Sequence, residues 1–207
     1  GETLAMAWLA TLGAAILASL IAPFAVRSLT VRGYIKHPPP ASRPRGWLSL
    51  LSTRGFLQCL RAVPELVWAL VFVVWVGPGP LAGALALGVH TLGLLGRLFA
   101  EIYEESGSGA LVHLESTGAS RIASWTHGLL PQTAPKLLAY GLFRFEVNVR
   151  ATATLGFVGA GGIGDAIHTA ISLFHLADLG ALLLVLLVTV VLIDALGHQI
   201  RQRLLRQ

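Results

Sequence analysis

Three stretches of this chain carry too little charge, over too great a length, to belong to a water-soluble domain. Leu4 to Val26 contains no charged residue. Glu65 to Leu95 contains none after its first position, although Gly77-Pro78-Gly79-Pro80 interrupts it, and Leu179 to Ile193 is almost wholly Leu, Val and Ala before Asp194. A helix crosses the hydrocarbon core of a bilayer with about 20 apolar residues. In lipid every backbone N–H and C=O must be bonded within the protein, so long apolar runs of this kind select helices. The composition agrees, at 55% hydrophobic and 12% charged, roughly half the charged fraction of a soluble domain. The chain therefore reads as a single all-α integral membrane domain over residues 1–207.

The basic residues set its orientation. Arg27, Arg32, Lys36, Arg43, Arg45, Arg54 and Arg61 follow the first run; Arg97, Arg121 and Lys136 bracket a central polar segment; Arg201, Arg203 and Arg206 close the chain. Excess Lys and Arg mark cytoplasmic loops, which places all three clusters and the C-terminus inside the cell. Five crossings follow, near 4–26, 62–76, 81–100, 132–153 and 178–198, with a cytoplasmic linker over 27–61. The basic pI of about 10.1 is thus an effect of topology, and nucleic-acid binding is not needed to explain it. Within the linker, Pro38-Pro39-Pro40-Ala41-Ser42-Arg43-Pro44 reads as an extended connector that cannot be helical, whereas Trp47 to Arg61 can form a helix entering from the interface. The first run is too long, and lacks the basic flank, for a signal peptide. Because the chain opens on Gly1-Glu2 without Met, either a processed N-terminus or a further preceding segment is expected. The single cysteine, Cys59, excludes an internal disulfide and reads as a small apolar residue.

Glu101 to Pro131 is too polar to cross and too patterned for an idle loop. A short helix is expected over Ala110–Thr117, broken at Gly118, with a second over Ala119–His127 and Pro131 in the first turn of the next span. A small residue at the bend lets another protein approach the backbone. Gly118, Leu130 and Pro131 stand at the spacing of the cytoplasmic coupling loop of ABC-importer permeases, and the segment resembles that loop. The family's leading Glu and following Ala correspond to Val112 and His113, where this chain departs from the pattern. The resemblance extends through Pro64-Glu65-Leu66-Val67-Trp68-Ala69-Leu70, His90-Thr91, Leu98-Phe99-Ala100-Glu101, Tyr140 to Arg150 and Val158 to Gly164. Over most of its length the chain is similar to the permeases of phosphonate-type importers, which usually carry one more N-terminal helix.

The fourth expected span holds Arg144, Glu146, Asn148 and Arg150, and ionisable residues inside a bilayer are costly without partners or water. Glu146 and Arg150 are four apart, acid first, the favourable order for a helical ion pair. Two readings stand at this point. Arg144, Glu146, Asn148, Arg150 and Thr152 line a path for an anion in transit, with binding kept weak so that the anion leaves; or a Glu–Arg pair locks two helices.

Gly159-Ala160-Gly161-Gly162-Ile163-Gly164 fits the dinucleotide fingerprint, but the strand that motif requires is missing before it. The stretch reads instead as a tight outer turn within a loop over 156–175, tolerated at membrane depth only where it is buried or lines a wet path. It is either an anion-facing backbone nest or a compact hinge. The histidines, among them His90, His113, His127, His168, His175 and His198, show no metal-ligand spacing, and no metal is expected.

The resemblance implies a type I ABC-importer permease in the cytoplasmic membrane. It would work as two copies with two cytoplasmic ATP-binding subunits and an extracytoplasmic binding protein, moving phosphonate, phosphite or phosphate. Val112, His113, Thr117, Gly118, Ala119, Ser120, Leu130 and Pro131 would contact the ATPase, and Gly159, Gly161, Gly162 and Gly164 would form an outer gate. The chain has no phosphate loop ending in Lys-Ser/Thr, so ATP and Mg would sit on the partner, and the chain itself would not be an enzyme. The alternative is an ion-gradient-driven secondary transporter or channel for a small anion, with Glu146 as its titrating carboxylate.

Overall fold

The computed structural model describes residues 1–27, 43–106 and 116–205. Among them every regular element is helical: α1 (Glu2–Ile21), α2 (Arg43–Ala62), α3 (Glu65–Val76), α4 (Pro80–Glu105), α5 (Arg121–Ser124), α6 (Leu130–Leu155), α7 (Ile163–Ser172) and α8 (Leu176–Leu205). α1 continues as a 3₁₀ turn over Ala22–Ala25, α5 runs through a wide π turn over Trp125–Leu129 into α6, and α6 tightens to 3₁₀ over Gly156–Val158.

The five expected crossings fall on α1, α3, α4, α6 and α8. α1 with its 3₁₀ turn, α4 and α8 are each long and apolar enough to cross unaided. α3, at 12 residues, reaches only about 18 Å at 1.5 Å per residue. It joins α2 across an 87° bend at Val63-Pro64, where proline cannot donate the next helical hydrogen bond. α6, at 26 residues, has the length to cross but carries charges that its neighbours must answer.

Within 27–61, helix α2 covers the stretch 47–61 that the sequence allows to be helical. One expectation changes: the helix also takes in Arg43 and Pro44, since proline in a first turn forfeits no hydrogen bond. Residues 38–42, like Val112 and His113, lie outside the described residues.

α4 is the central post, with α1, α2 and α3 packed along it. Small residues make this possible, as is common between membrane helices. A Cβ on Gly93 would sit 2.7 Å from the Arg61 backbone nitrogen and 2.9 Å from the Leu57 carbonyl oxygen, and one on Gly96 would stand 2.5 Å from Leu57 Cδ2. Leu57, Leu95, Phe99 and Tyr103 form one buried cluster with Ala14, Ala18 and Ala22 of α1; Ala10, Ala69, Phe72, Ala86 and Leu155 form a second.

The bundle has two distinct ends. At one, Thr3 Oγ1 accepts a hydrogen bond from the Ile163 N–H at 2.9 Å, and the Gly79 N–H donates to the Gly159 carbonyl at 2.8 Å. At the other, Glu104 accepts from the Arg27 N–H at 2.8 Å and pairs with Arg54 at 2.5 Å, while Arg54 Nε donates to the Ala25 carbonyl. The two glycine turns expected on one side therefore do meet, and Arg27, Arg54 and Arg97 gather at the opposite end.

Gly93→Val should drive α2 off α4 and lower the melting temperature of the detergent-purified protein by about 5 °C, the effect of roughly 1–3 kcal/mol of overpacking. Gly88→Ala, whose new methyl group would meet only Ala10 at 3.8 Å, should shift it by about 1 °C or less.

Candidate functional site: the polar helix α6 and its surroundings

α6 presents different polar groups to different neighbours. Toward α1 and α4 it sends Asn148, fully buried. Asn148 Nδ2 donates to Thr11 Oγ1 at 2.8 Å and lies 3.1 Å from Thr91 Oγ1, which also reaches Oδ1 at 3.1 Å. Thr11 passes its own proton to the Ala7 carbonyl. A carboxamide in hydrocarbon is thus satisfied by one hydroxyl from each adjoining helix. Thr152 is also fully buried and donates to the Val149 carbonyl of its own helix. Neither residue faces open space within this chain.

Toward α8, the ion pairs differ from the expected one. Glu146 and Arg150 do not pair with each other. Glu146, 4% exposed, accepts from Arg201 at 2.6 Å, and Arg150 reaches Asp194 at 3.3 Å. Residues 194 and 201 are seven apart, two helical turns, so one face of α8 answers the four-residue repeat on α6. Gly197 lies between them with no side chain, because a Cβ there would overlap the Glu146 carboxylate. The inter-helix lock is thus the geometry for Glu146, made with α8 rather than within α6.

The remaining stripe, Phe143, Val147, Arg150, Ala151 and Thr154, forms with Glu65 the wall of an open cavity of about 470 Å³. Of the expected path residues, this cavity brings in Arg150. Glu65, which opens α3 just past the bend, supplies its carboxylate. The His90 ring bridges the bend: Nδ1 lies 3.1 Å from the Val63 carbonyl and Nε2 lies 3.4 Å from Glu65. Arg144 is one helical turn before Asn148 on α6. Its Nη2 is 3.5 Å from Asn148 Oδ1, and its Nε is buried without a hydrogen-bond partner among the described residues. A second cavity of about 470 Å³ at the basic end is lined by Arg54, Gln58, Arg97, Glu101 and Glu104. Its charges are already matched, Arg54 with Glu104 and Arg97 with Glu101.

The outer turn is a backbone device. Gly159, Gly161 and Gly162 have φ of 79°, 75° and 78°, a region costly for residues with a Cβ. Gly161 packs on Pro80, where a Cβ would come 2.8 Å from its nitrogen. Gly164 has a different task. It lies buried in the first turn of α7, and a Cβ there would run into the Ala153 carbonyl of α6.

In the central segment Gly118 has φ 84° in open space, Thr117 and Ser120 are exposed, and Ala119 is half-buried. Ser120 Oγ accepts from the Ala123 N–H at 3.2 Å and caps α5. The expected separate helix over Ala119–His127 is instead continuous with the span: α5 and the π turn lead directly into α6, with Leu130 and Pro131 in its first turn. Trp125 stacks edge-on against Tyr103 at 6.4 Å, fastening the segment to the end of α4. Of the expected helix over Ala110–Thr117, only the last two positions are described.

Sequence reasoning passed over Glu65, His90, Asp194, Gly197 and Arg201 as site residues. The seven-residue interval from Asp194 to Arg201, set against Glu146 and Arg150, was the available signal for the last three. Nothing in linear sequence places Glu65 beside α6.

Residues 40–206 match the family described as binding-protein-dependent transport system inner membrane component. The phosphite transport system permease protein PtxC of Stutzerimonas stutzeri is 34% identical over 201 residues, covering 97% of this chain and 68% of that protein. The phosphate-import permease protein PhnE of Mycolicibacterium smegmatis is 38% identical over 151 residues, 73% of this chain and 28% of that protein. Among solved structures, the inward-facing MetNI methionine ABC transporter contains a chain that superposes with a TM-score of 0.77 at 21% identity, covering 98% of this chain and 93% of that one.

Glu146→Ala should cost about 3 kcal/mol by stranding the Arg201 guanidinium, whereas Asp194→Ala, which breaks an exposed pair, should cost about 0.5 kcal/mol. Thermal melts of the purified variants check both.

Proposed function

Because the chain belongs to the family of binding-protein-dependent transport system inner membrane components, we propose that it is the membrane-spanning subunit of an ATP-driven importer for phosphite, phosphonate or phosphate. The observation that carries this reading is the family match over residues 40–206, supported for the substrate by what PtxC and PhnE are named for. The basic end of the bundle, with Arg27, Arg54 and Arg97, is placed in the cytoplasm together with the C-terminus, and the joined glycine turns outside. ATP and Mg belong to two ATP-binding subunits, and the substrate arrives on an external binding protein. Two copies of the chain form the pore.

Movement enters through the segment around Thr117, Gly118, Ala119 and Ser120, with Val112 and His113 also assigned to that contact. α5 runs unbroken into α6, so a push by an ATPase surface reaches Leu130 and Pro131 and then the polar stripe of α6 without crossing a flexible joint. α6 carries Arg150 to the cavity, with Arg144 behind it. Asn148 and Glu146 hold the helix in register with α1, α4 and α8, while Thr152, assigned to the same path, is buried and bonded within α6. Gly159, Gly161, Gly162 and Gly164 form the outer closure, where backbone contact leaves no room for a side chain at Gly161 and Gly164 and positive φ disfavours one at Gly159 and Gly162.

The reading is tested by ATP hydrolysis in the reconstituted complex with binding protein loaded in turn with phosphonate, phosphite and phosphate. Stimulation by one loaded form supports it and names the cargo; an assembled, folded complex that none of them stimulates overturns it. In the same assay Gly118→Val, which forces a Cβ into left-handed backbone at about 1–2 kcal/mol, should lower stimulated hydrolysis by about fivefold while leaving the melting of the spans unchanged.

A further inference from the structure

The cavity beside α6 holds a contradiction for an anion path: its cation, Arg150, shares the wall with a carboxylate, Glu65. Glu65 is not there by slack. It is the first residue of α3, immediately past a bend of 87°, and His90 of α4 holds both sides of that bend, Val63 through Nδ1 and Glu65 through Nε2. The charged group in contact with His90 is Glu65 from α3. The carboxylate is therefore fixed at the cavity edge from a second helix.

We propose that Glu65 is a selectivity residue of the anion path, setting a low resident affinity for the anion beside Arg150, and that His90 is the residue that positions it. This rests on the importer reading above. Beside a low-dielectric protein wall, charges act on one another over several ångströms. A guanidinium on the wall with no carboxylate beside it would hold a phosphorus oxyanion, and a held anion blocks its own passage. Asp194 draws on Arg150 from α8 at 3.3 Å, but it does not line the cavity. Glu65 instead repels whatever occupies the cavity itself. The anion is thus attracted enough to enter and opposed enough to leave, while tight capture stays with the binding protein.

The experiment is direct binding of inorganic phosphate and of phosphite to the assembled, detergent-purified complex without binding protein. Glu65→Gln should bind at least tenfold more tightly than the unaltered complex, and Glu65→Asp, which keeps the charge, should remain weak. Adding Arg150→Gln to Glu65→Gln should abolish the gain, a dependence that a purely structural role would not produce. Equal affinity in Glu65→Gln and the unaltered complex, or a gain that survives Arg150→Gln, overturns the proposal. If Glu65→Gln does not assemble, His90→Gln serves in its place. It leaves the carboxylate in the chain but frees its orientation, and it should tighten binding several-fold; unchanged affinity overturns the assignment. Binding-protein-stimulated hydrolysis by the unaltered complex is measured alongside. If it is stimulated and Glu65→Gln binds no tighter, only the role of Glu65 falls; if it is never stimulated, the importer reading falls and takes this inference with it.

Discussion

Between Arg144 and Arg150, α6 must carry one carboxamide, two guanidinium groups and a carboxylate through a medium that offers no water, and the arrangement of the other helices answers most of that demand. Thr11 on α1 and Thr91 on α4 converge on Asn148, and Arg201 and Asp194 on α8 meet Glu146 and Arg150. Each neighbour is bound to α6 at the place where it has the one group that α6 lacks. An unsatisfied polar group at this depth costs several kcal/mol, so these few contacts fix helix order and register more firmly than apolar packing, which lipid tails could replace.

The helices are joined in two different ways. α2 packs on α4 through close contacts at Gly93 and Gly96, and Met6 of α1 and Ala160 pack on Gly83, where no side chain fits. α8 is attached differently: its apolar surface is largely exposed in the single chain, and its hold on α6 runs through two ion pairs and the bare backbone of Gly197. Charge pairs have discrete alternatives that close packing does not. A pore that must open and shut fits a core packed on small residues with a polar seam along one side.

Arg150 and Glu65 on one cavity wall match what the proposed conduit requires. High affinity and rapid release oppose one another, since each tenfold in affinity adds about 1.4 kcal/mol that must be recovered on leaving. Opposed charges on a common wall provide orientation without a deep well. The bend between α2 and α3 makes this possible, because it turns the chain so that the first residue of α3 faces α6.

Much of the fold was legible in the sequence because the bilayer imposes a length and a polarity that any spanning segment must show. The five crossings, the two glycine turns on one side, the proline opening α6 and the basic end follow from apolar runs, Gly and Pro positions and charge clusters, each a local property; that the two turns bond to each other was not among them. The helix at Arg43 and Pro44 and the continuity of α5 with α6 were misjudged because proline and glycine disrupt helices in some positions and not in others. The partners of the polar groups were not legible. Glu146 and Arg150 looked matched to each other at four residues' spacing, yet each pairs with a residue on α8, 55 and 44 residues away, because α6 and α8 lie side by side, which buries Glu146 against Arg201 and leaves the Arg150–Asp194 pair exposed. Sequence alone determined that this chain crosses a membrane several times and carries charge into it; tertiary structure decided which charges meet, since that depends on which helix faces lie side by side, and local spacing does not encode this.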